Sequence, residues 1–213
     1  REEICRKIPI GVSTGEDSFF ILDENELPPQ LEDLSHPIVG GKQLSAYDDV
    51  KTSQRVICPY TESGEMMSER ELGESFLTWA EMNRSTLEDR STIHGGKGSW
   101  YSWSQQPPLD DIFEPKLMTR DFADEIKFWM DESGEYIPRK TVFYMVPEPE
   151  VSLRELQRYL NTEEVREWLE AITLDGIGKG HRLKVRHLRK LPLPASLRWI
   201  RRSQRGDCMP RRG

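Results

Sequence analysis

The sequence predicts an α+β fold: a twisted, mainly antiparallel sheet with about three or four helices packed around it. Three observations carry that expectation. Short apolar runs of strand type, such as RVICPY at 55–60 and YIPRKTVFYMV at 136–146, stand between turn signals. Segments 68–87 and 152–172 place apolar residues at helical spacing behind serine caps. A chain of 213 residues with 36% hydrophobic content is long enough to bury an independent core.

In chain order, IPIGVSTGEDSFFIL at 8–22 reads as a strand, a turn at Ser13–Glu16 and a returning strand through Phe19 to Leu22. Gly11, Ser13 and Gly15 also spell the G-x-S-x-G of hydrolase nucleophile elbows. An elbow needs a helix directly after its serine, however, and EDSFFILDE is strand-like. After a polar loop with Pro28 and Pro29, SHPIVGGKQLSAYD turns at Gly40-Gly41-Lys42 between two apolar runs. Lys42 is placed to face a phosphate, although a lone exposed lysine is more often simply solvated. RVICPY is a strand. Ser68 and Glu71 form a capping box for a helix with Leu72, Phe76, Trp79, Asn83 and Leu87 along one side, and Ser85 with Glu88 is positioned to cap a second short turn.

STIHGGKGS at 91–99 reads as a flexible loop, and His94 within it has no second ligand at metal spacing. WYSWSQQPP at 100–108 is the most aromatic patch. Alternation would set Trp100 and Ser102 on one face and Tyr101 and Trp103 on the other, and a core plug and a base-stacking wall are equal readings of it. FEPKLMTR places Lys116 and Arg120 around a short strand, and residues 126–146 read as a hairpin of IKFWMD and YIPRKTVFYMV about an ESGE turn. Ser152 and Glu155 cap a helix carrying Val151, Leu153, Leu156, Tyr159 and Leu160. Asn161-Thr162 then restarts a second helix, with Val165, Trp168, Leu169 and Ile172 inward.

Charge is sharply segregated. Residues 171–213 hold 12 Lys or Arg against 2 acids, whereas residues 1–170 hold 18 against 35. The basic part begins at GIGKGHRLKVRHLRKLPLP, 176–194, where Gly178 and Gly180 let backbone approach closely and Lys179, His181, Arg182, Lys184 and Arg186 supply donors for phosphate. Leu183, Val185, Leu188, Leu191 and Leu193, threaded between the charges, favour a docked segment over a solvated tail. Arg182, Lys184 and Arg186 alternate, so on an extended segment they point one way while Leu183 and Val185 point inward. The net charge of -7 opposes phosphate at long range. No run approaches the roughly 18 apolar residues that span a bilayer. Cys5, Cys58 and Cys208 lack paired metal spacing and suit a reducing, cytoplasmic interior. The chain begins at Arg1 without an initiator methionine, as the remnant of a longer protein would.

The order of these motifs resembles the TaqI-like C-terminal specificity (target-recognition) domain of adenine-specific DNA methyltransferases and fused restriction-modification enzymes. The resemblance rests on a G-x-x-T-G turn before a Phe strand (Gly11, Thr14, Gly15, then Phe19 or Phe20), a P-Y strand end (Pro59-Tyr60), and a W-Y-x-W patch followed by P-K (Trp100, Tyr101, Trp103, Pro115-Lys116). A hairpin of D-x-x-G-Y type, an L-x-x-x-L-N helix break at Leu156, Leu160 and Asn161, and an L-P-x-P ending at Leu191, Pro192 and Pro194 complete it. It implies a specificity domain over 1–195, with sub-lobes 1–98 and 99–195 as the alternative division, and a basic, disordered tail at 196–213. Double-stranded DNA is the implied partner, and S-adenosylmethionine the cofactor of the parent enzyme. Neither the glycine-rich cofactor loop nor the Asn-Pro-Pro-Tyr or Asp-Pro-Pro-Tyr turn of the methyltransferases occurs. The nearest string is Gln106-Pro107-Pro108-Leu109, so no cofactor is expected in this chain and catalysis would come from a methyltransferase domain in cis or trans.

On this reading Lys179, His181, Arg182, Lys184 and Arg186 contact DNA together with Lys116 and Arg120, while Trp100, Tyr101 and Trp103 line the space beside a displaced base. The rival reading is a protein-interaction subunit of a defence complex, whose basic segment meets an acidic partner. A free-standing nuclease or hydrolase lacks a constellation of carboxylates, His or Cys. The excess of acids, with 20 Arg to 10 Lys, is similar to the balance of proteins from high-salt cytoplasms. On that hypothesis dialysis into low salt should unfold the chain, as followed by circular dichroism. An unchanged spectrum contradicts it.

Overall fold

A computed structural model describes residues 4–46, 49–90, 99–105, 111–173 and 180–192. Cys5–Lys7 (β1), Lys116–Arg120 (β5), Phe128–Asp131 (β7) and Val142–Pro147 (β9) form an antiparallel sheet in the order β1-β9-β5-β7. A second sheet runs β2-β4-β3-β8, from Ile21–Asp23 (β2), Gln54–Ile57 (β4), Ser35–Val39 (β3) and Ile137–Pro138 (β8), with β3 and β8 parallel. Because β8 lies beyond residue 99, hydrogen bonding runs across the 98/99 division. Phe122–Ala123 (β6) and His181–Arg182 (β10) pair separately. Among the described residues the α-helices are Asp17–Phe20 (α1), Gly41–Ala46 (α2), Glu69–Glu81 (α3), Arg84–Glu88 (α4), Leu153–Leu160 (α5), Glu163–Thr173 (α6) and Val185–Leu188 (α7), and Pro29–Leu34 is a 3-10 helix. The fold is α+β.

The strands β5 and β9 are covered on both faces, and the two-residue period sorts their side chains between two cores. Met118, Val142, Tyr144 and Val146 join one apolar cluster with Phe20, Phe76 and Trp103. Leu117, Phe143 and Met145 join the other with Leu156, Leu160, Leu169 and Leu183. The hairpin expected over 126–146 does not form as such. Strand β7 pairs with β5 rather than with β9, and β5 sits between them with a full ladder on each side. Alternation fixes which face a strand buries, but it is silent about which neighbour it pairs with. The returning strand after Glu16 likewise opens with the single helical turn α1 before β2 begins.

The helices follow their caps. The Ser68 hydroxyl accepts from the Glu71 amide, the Glu71 carboxylate accepts from the Ser68 amide at 2.8 Å, and Leu72 and Phe76 are buried behind this box. The Ser152 hydroxyl accepts from the Glu155 amide at the start of α5. By contrast, the N-cap of α4 is Asn83, and Ser85 and Glu88 lie inside that helix. Val165 and Leu169 of α6 point inward, but Ile172 is exposed. Asn161 explains the helix break between α5 and α6. Its side-chain oxygen accepts from the Phe128 amide and its nitrogen donates to the Phe128 carbonyl, both at 2.9 Å, so it stands in for a strand partner at the edge of β7.

Lys116 is no surface contact. Its ammonium lies 2.7 Å from Asp131 with both side chains 0% exposed, and it donates to the Gly134 carbonyl at 3.2 Å. Asp131 in turn accepts from the amides of Gly134 (2.9 Å) and Tyr136 (3.1 Å) and from the Ser133 hydroxyl. Burial pushes the Lys116 ammonium below the ordinary lysine range, against the pull of the Asp131 charge. The P-K and D-x-x-G elements of the sequence thus meet as one ion pair that closes the turn after β7. Removing one partner of such a pair costs about 3–5 kcal/mol, because the other charge stays buried alone. Lys116→Met should therefore lower stability by that amount in urea unfolding, and a variant as stable as the parent would contradict the role given to the pair.

Candidate nucleic-acid interface

The basic segment docks through its apolar residues. Leu183, Leu188 and Leu191 are buried, the Leu183 amide donates to the Asp121 carbonyl at 2.8 Å, and β10 pairs with β6 through His181↔Ala123 and Arg182↔Phe122. Nδ1 of His181 lies 3.1 Å from the Thr173 hydroxyl, which ties the segment to the end of α6. The chain is extended only as far as Lys184, where φ is -134° and ψ is 151°, and α7 begins at Val185. Arg182, Lys184 and Arg186 are all exposed, but they do not form one alternating row, because Arg186 rides on a helical turn. Its guanidinium donates to the neighbouring His187 ring at 3.3 Å. Lys179 lies outside the described residues, as do Leu193, Pro194, the 196–213 tail, His94 and the Gln106–Leu109 string.

Docking the segment against β6 brings it beside an open cleft of about 510 Å³. Three stretches remote in sequence build the cleft: Gly40–Gln43, Arg120–Phe122 and Arg139–Thr141. Each is held by backbone. The Gly41 amide donates to the Thr141 hydroxyl at 3.2 Å, and the Asp121 amide to the Thr141 carbonyl at 3.0 Å. The Arg139 amide reaches Val39 at 2.9 Å and the Lys140 amide reaches Val12 at 2.8 Å, so the Arg-Lys pair is clamped between β3 and the strand-like start of the G-x-x-T-G turn. Gly11 is required in that clamp, since a side chain there would collide with the Pro138 carbonyl. At the base of the cleft Gln43 Nε2 donates to Gln54 Oε1 at 2.7 Å.

The lining is cationic: Lys42, Arg120, Arg139 and Lys140 against the carboxylate of Asp121. Arg139 is neutralised at 2.5 Å by Asp17, but among the described residues no carboxylate lies within ion-pair distance of Lys42, Arg120, Lys140 or Arg182. On a chain of net charge -7, Lys42, Arg120, Arg139 and Lys140 against one lining carboxylate give this concave face a local charge opposite to that of the whole molecule. Of the residues singled out in the sequence, Lys42 and Arg120 line this cleft, and Arg182 borders it with its guanidinium over the Phe122 ring. Arg139 and Lys140 carried no signal of their own, and Lys42 resembled an ordinary solvated lysine.

The aromatic patch is core. Tyr101 and Trp103 are buried. The Trp103 amide donates to the Tyr60 hydroxyl at 2.8 Å, and its indole donates to the Ile57 carbonyl at 3.2 Å. Tyr101 meets Phe76 edge-on, and Trp100 is half-buried beneath the Arg84 guanidinium at 4.9 Å. The expected alternation fails because 100–105 is a turn rather than a strand, and buried Arg90 gathers it. The guanidinium of Arg90 donates to the carbonyls of Leu87, Thr14, Ser102 and Trp100 at 2.6–2.9 Å, joining α4, the G-x-x-T-G turn and the aromatic turn through one planar fork. Among the described residues Tyr101 and Trp103 are thus taken up by the core, and Trp100 keeps a partly exposed ring.

No protein-family model matches the chain. It is similar to the type II methyltransferase M.PaeR7I of Pseudomonas aeruginosa, 28% identical over 200 residues that make up 93% of this chain and 33% of the relative. It is also similar to the type II methyltransferase M.BstVI of Geobacillus stearothermophilus, 22% identical over 188 residues, 88% of this chain and 33% of the relative. The chain thus spans about a third of the length of these curated relatives. Its fold is similar to part of the Type IIL restriction-modification enzyme MmeI, solved in complex with DNA, with a TM-score of 0.58 and 14% identity over 84% of this chain and 23% of that one. No described helix is long and apolar enough to cross a membrane.

Proposed function

We propose that the chain is the DNA sequence-recognition part of an adenine-specific type II methyltransferase or fused restriction-modification enzyme, of the TaqI-like kind its motifs resemble. The observation that carries this reading is the cleft in which Lys42, Arg120 and Lys140 converge without carboxylate partners among the described residues. The similarity to one third of two type II methyltransferases, and a fold neighbour solved with DNA, support it. In this reading the cleft cations hold the phosphate backbone and set position, while Arg182, with Lys184, Arg186 and His181, extends the cationic surface toward the bases. One bidentate arginine–guanine contact would contribute about 1–3 kcal/mol of discrimination.

Methyl transfer would belong to a catalytic domain outside this chain, in cis or in trans. S-adenosylmethionine, which would supply the methyl group there, carries a sulfonium cation. The large described cleft is itself cationic, so its residues do not fit that cofactor. The double variant Lys42→Ala with Lys140→Ala tests the reading in fluorescence-anisotropy titrations of random-sequence duplex DNA at several salt concentrations. Loss of two phosphate contacts should reduce the slope of log K against log salt by about 2. An unchanged slope would remove the cleft from the interface. Binding by the parent chain that does not depend on salt would favour a protein partner instead.

A further inference from the structure

Phe122 sits oddly for a phenylalanine. Its neighbour in β6, Ala123, is buried, yet Phe122 is 44% exposed, and it lines the cationic cleft directly after Arg120 and Asp121. Single exposed apolar residues are ordinary, so exposure alone means nothing. What distinguishes this ring is how firmly it is held. Its backbone pairs with Arg182, the flanking Asp121 carbonyl accepts from Leu183, and the Arg182 guanidinium stands 5.5 Å over the ring. Gly180 lies against the ring tip, where any side chain would strike Cζ and both Cε atoms. The tip is thus covered by glycine backbone, which rules out a wedge driven end-on between base pairs.

We propose that Phe122 is a stacking platform for a nucleotide of the DNA held in the cleft, an assignment that rests on the DNA-binding reading above. Each neighbour suits one part of a nucleotide. Lys42, Arg120 and Lys140 meet phosphate, the ring face meets the π-face of a base, and the Asp121 carboxylate is an acceptor for the exocyclic amino group of cytosine or adenine while being unsuited to phosphate. A site for inorganic anions alone would need neither the ring nor the carboxylate. Arg182 stands over one face of the ring, so the base would stack on the opposite face and the guanidinium would back the platform.

Anisotropy titrations of the 213-residue chain with a fluorescein-labelled mixed-sequence single strand, and with the matching duplex, test the assignment. Phe122→Ala should weaken single-strand binding about tenfold or more, as loss of one base–aromatic stack does, with no change in the salt slope. Phe122→Leu, apolar and of comparable size but without a π-face, should behave like the alanine variant. Parent-like binding by the alanine or leucine variant overturns the platform. So does a reduced salt slope in Phe122→Ala, which would make the ring a mere support for Arg182. If the parent chain binds neither DNA with salt dependence, the DNA-binding reading itself falls, and it does so before any Phe122 variant is compared.

Discussion

The register of β5 is the constraint on which the rest of the molecule depends. The strand is hydrogen-bonded to β7 on one side and β9 on the other, so its position along both neighbours is fixed twice. Lys116, Met118 and Arg120 share one face by the two-residue period. The first is locked to Asp131 at the buried end, the second fills a core, and the third emerges at the cleft. A slip of one residue would pull the ammonium from its carboxylate, swap the two cores and turn Arg120 away from Lys42 and Lys140 together. The buried ion pair and the cationic cleft are two ends of the same strand.

That coupling gives physical content to the short motifs on which the family resemblance rests, which are structural in the fold. Pro115-Lys116 and the Asp131–Gly134 turn meet in an ion pair. Thr14 presents its carbonyl to Arg90, and Asn161 satisfies the backbone of Phe128. The aromatic patch fills the space that Arg90 ties shut. Each of these residues aligns a segment that lines or supports the cleft: the G-x-x-T-G turn bonds to Lys140, and β7 braces β5.

Much of the fold was legible from local chemistry. Serine caps, 3.6-residue spacing and the RVICPY run located α3, α5, α6 and β4, and the leucines threaded through the basic segment correctly implied that it docks. Strand pairing was not legible, because β5 intrudes into what reads as a continuous hairpin, and alternation carries no information about partners. Aromatic rings serve cores and bases equally, so Trp100, Tyr101 and Trp103 were ambiguous until their neighbours were known. The cleft was half legible. Charge segregation points to Arg182, which borders the cleft over Phe122, and the strand reading to Arg120, but Lys42, Arg139 and Lys140 lie in the acidic part of the chain, and only tertiary structure brings residues about a hundred positions apart to one concave face.

The central claim is that DNA lies against the cleft rather than along the carboxyl-terminal segment alone. Lysine acetylation read by mass spectrometry, with and without saturating duplex DNA, tests it most directly, because exposed Lys42 and Lys140 and fully buried Lys116 serve as probes and control within one chain. Protection of Lys42 and Lys140 by DNA, with Lys116 unreactive throughout, is the result the account predicts. Lys42 and Lys140 remaining fully reactive while Lys184 and Lys190 become protected would contradict it.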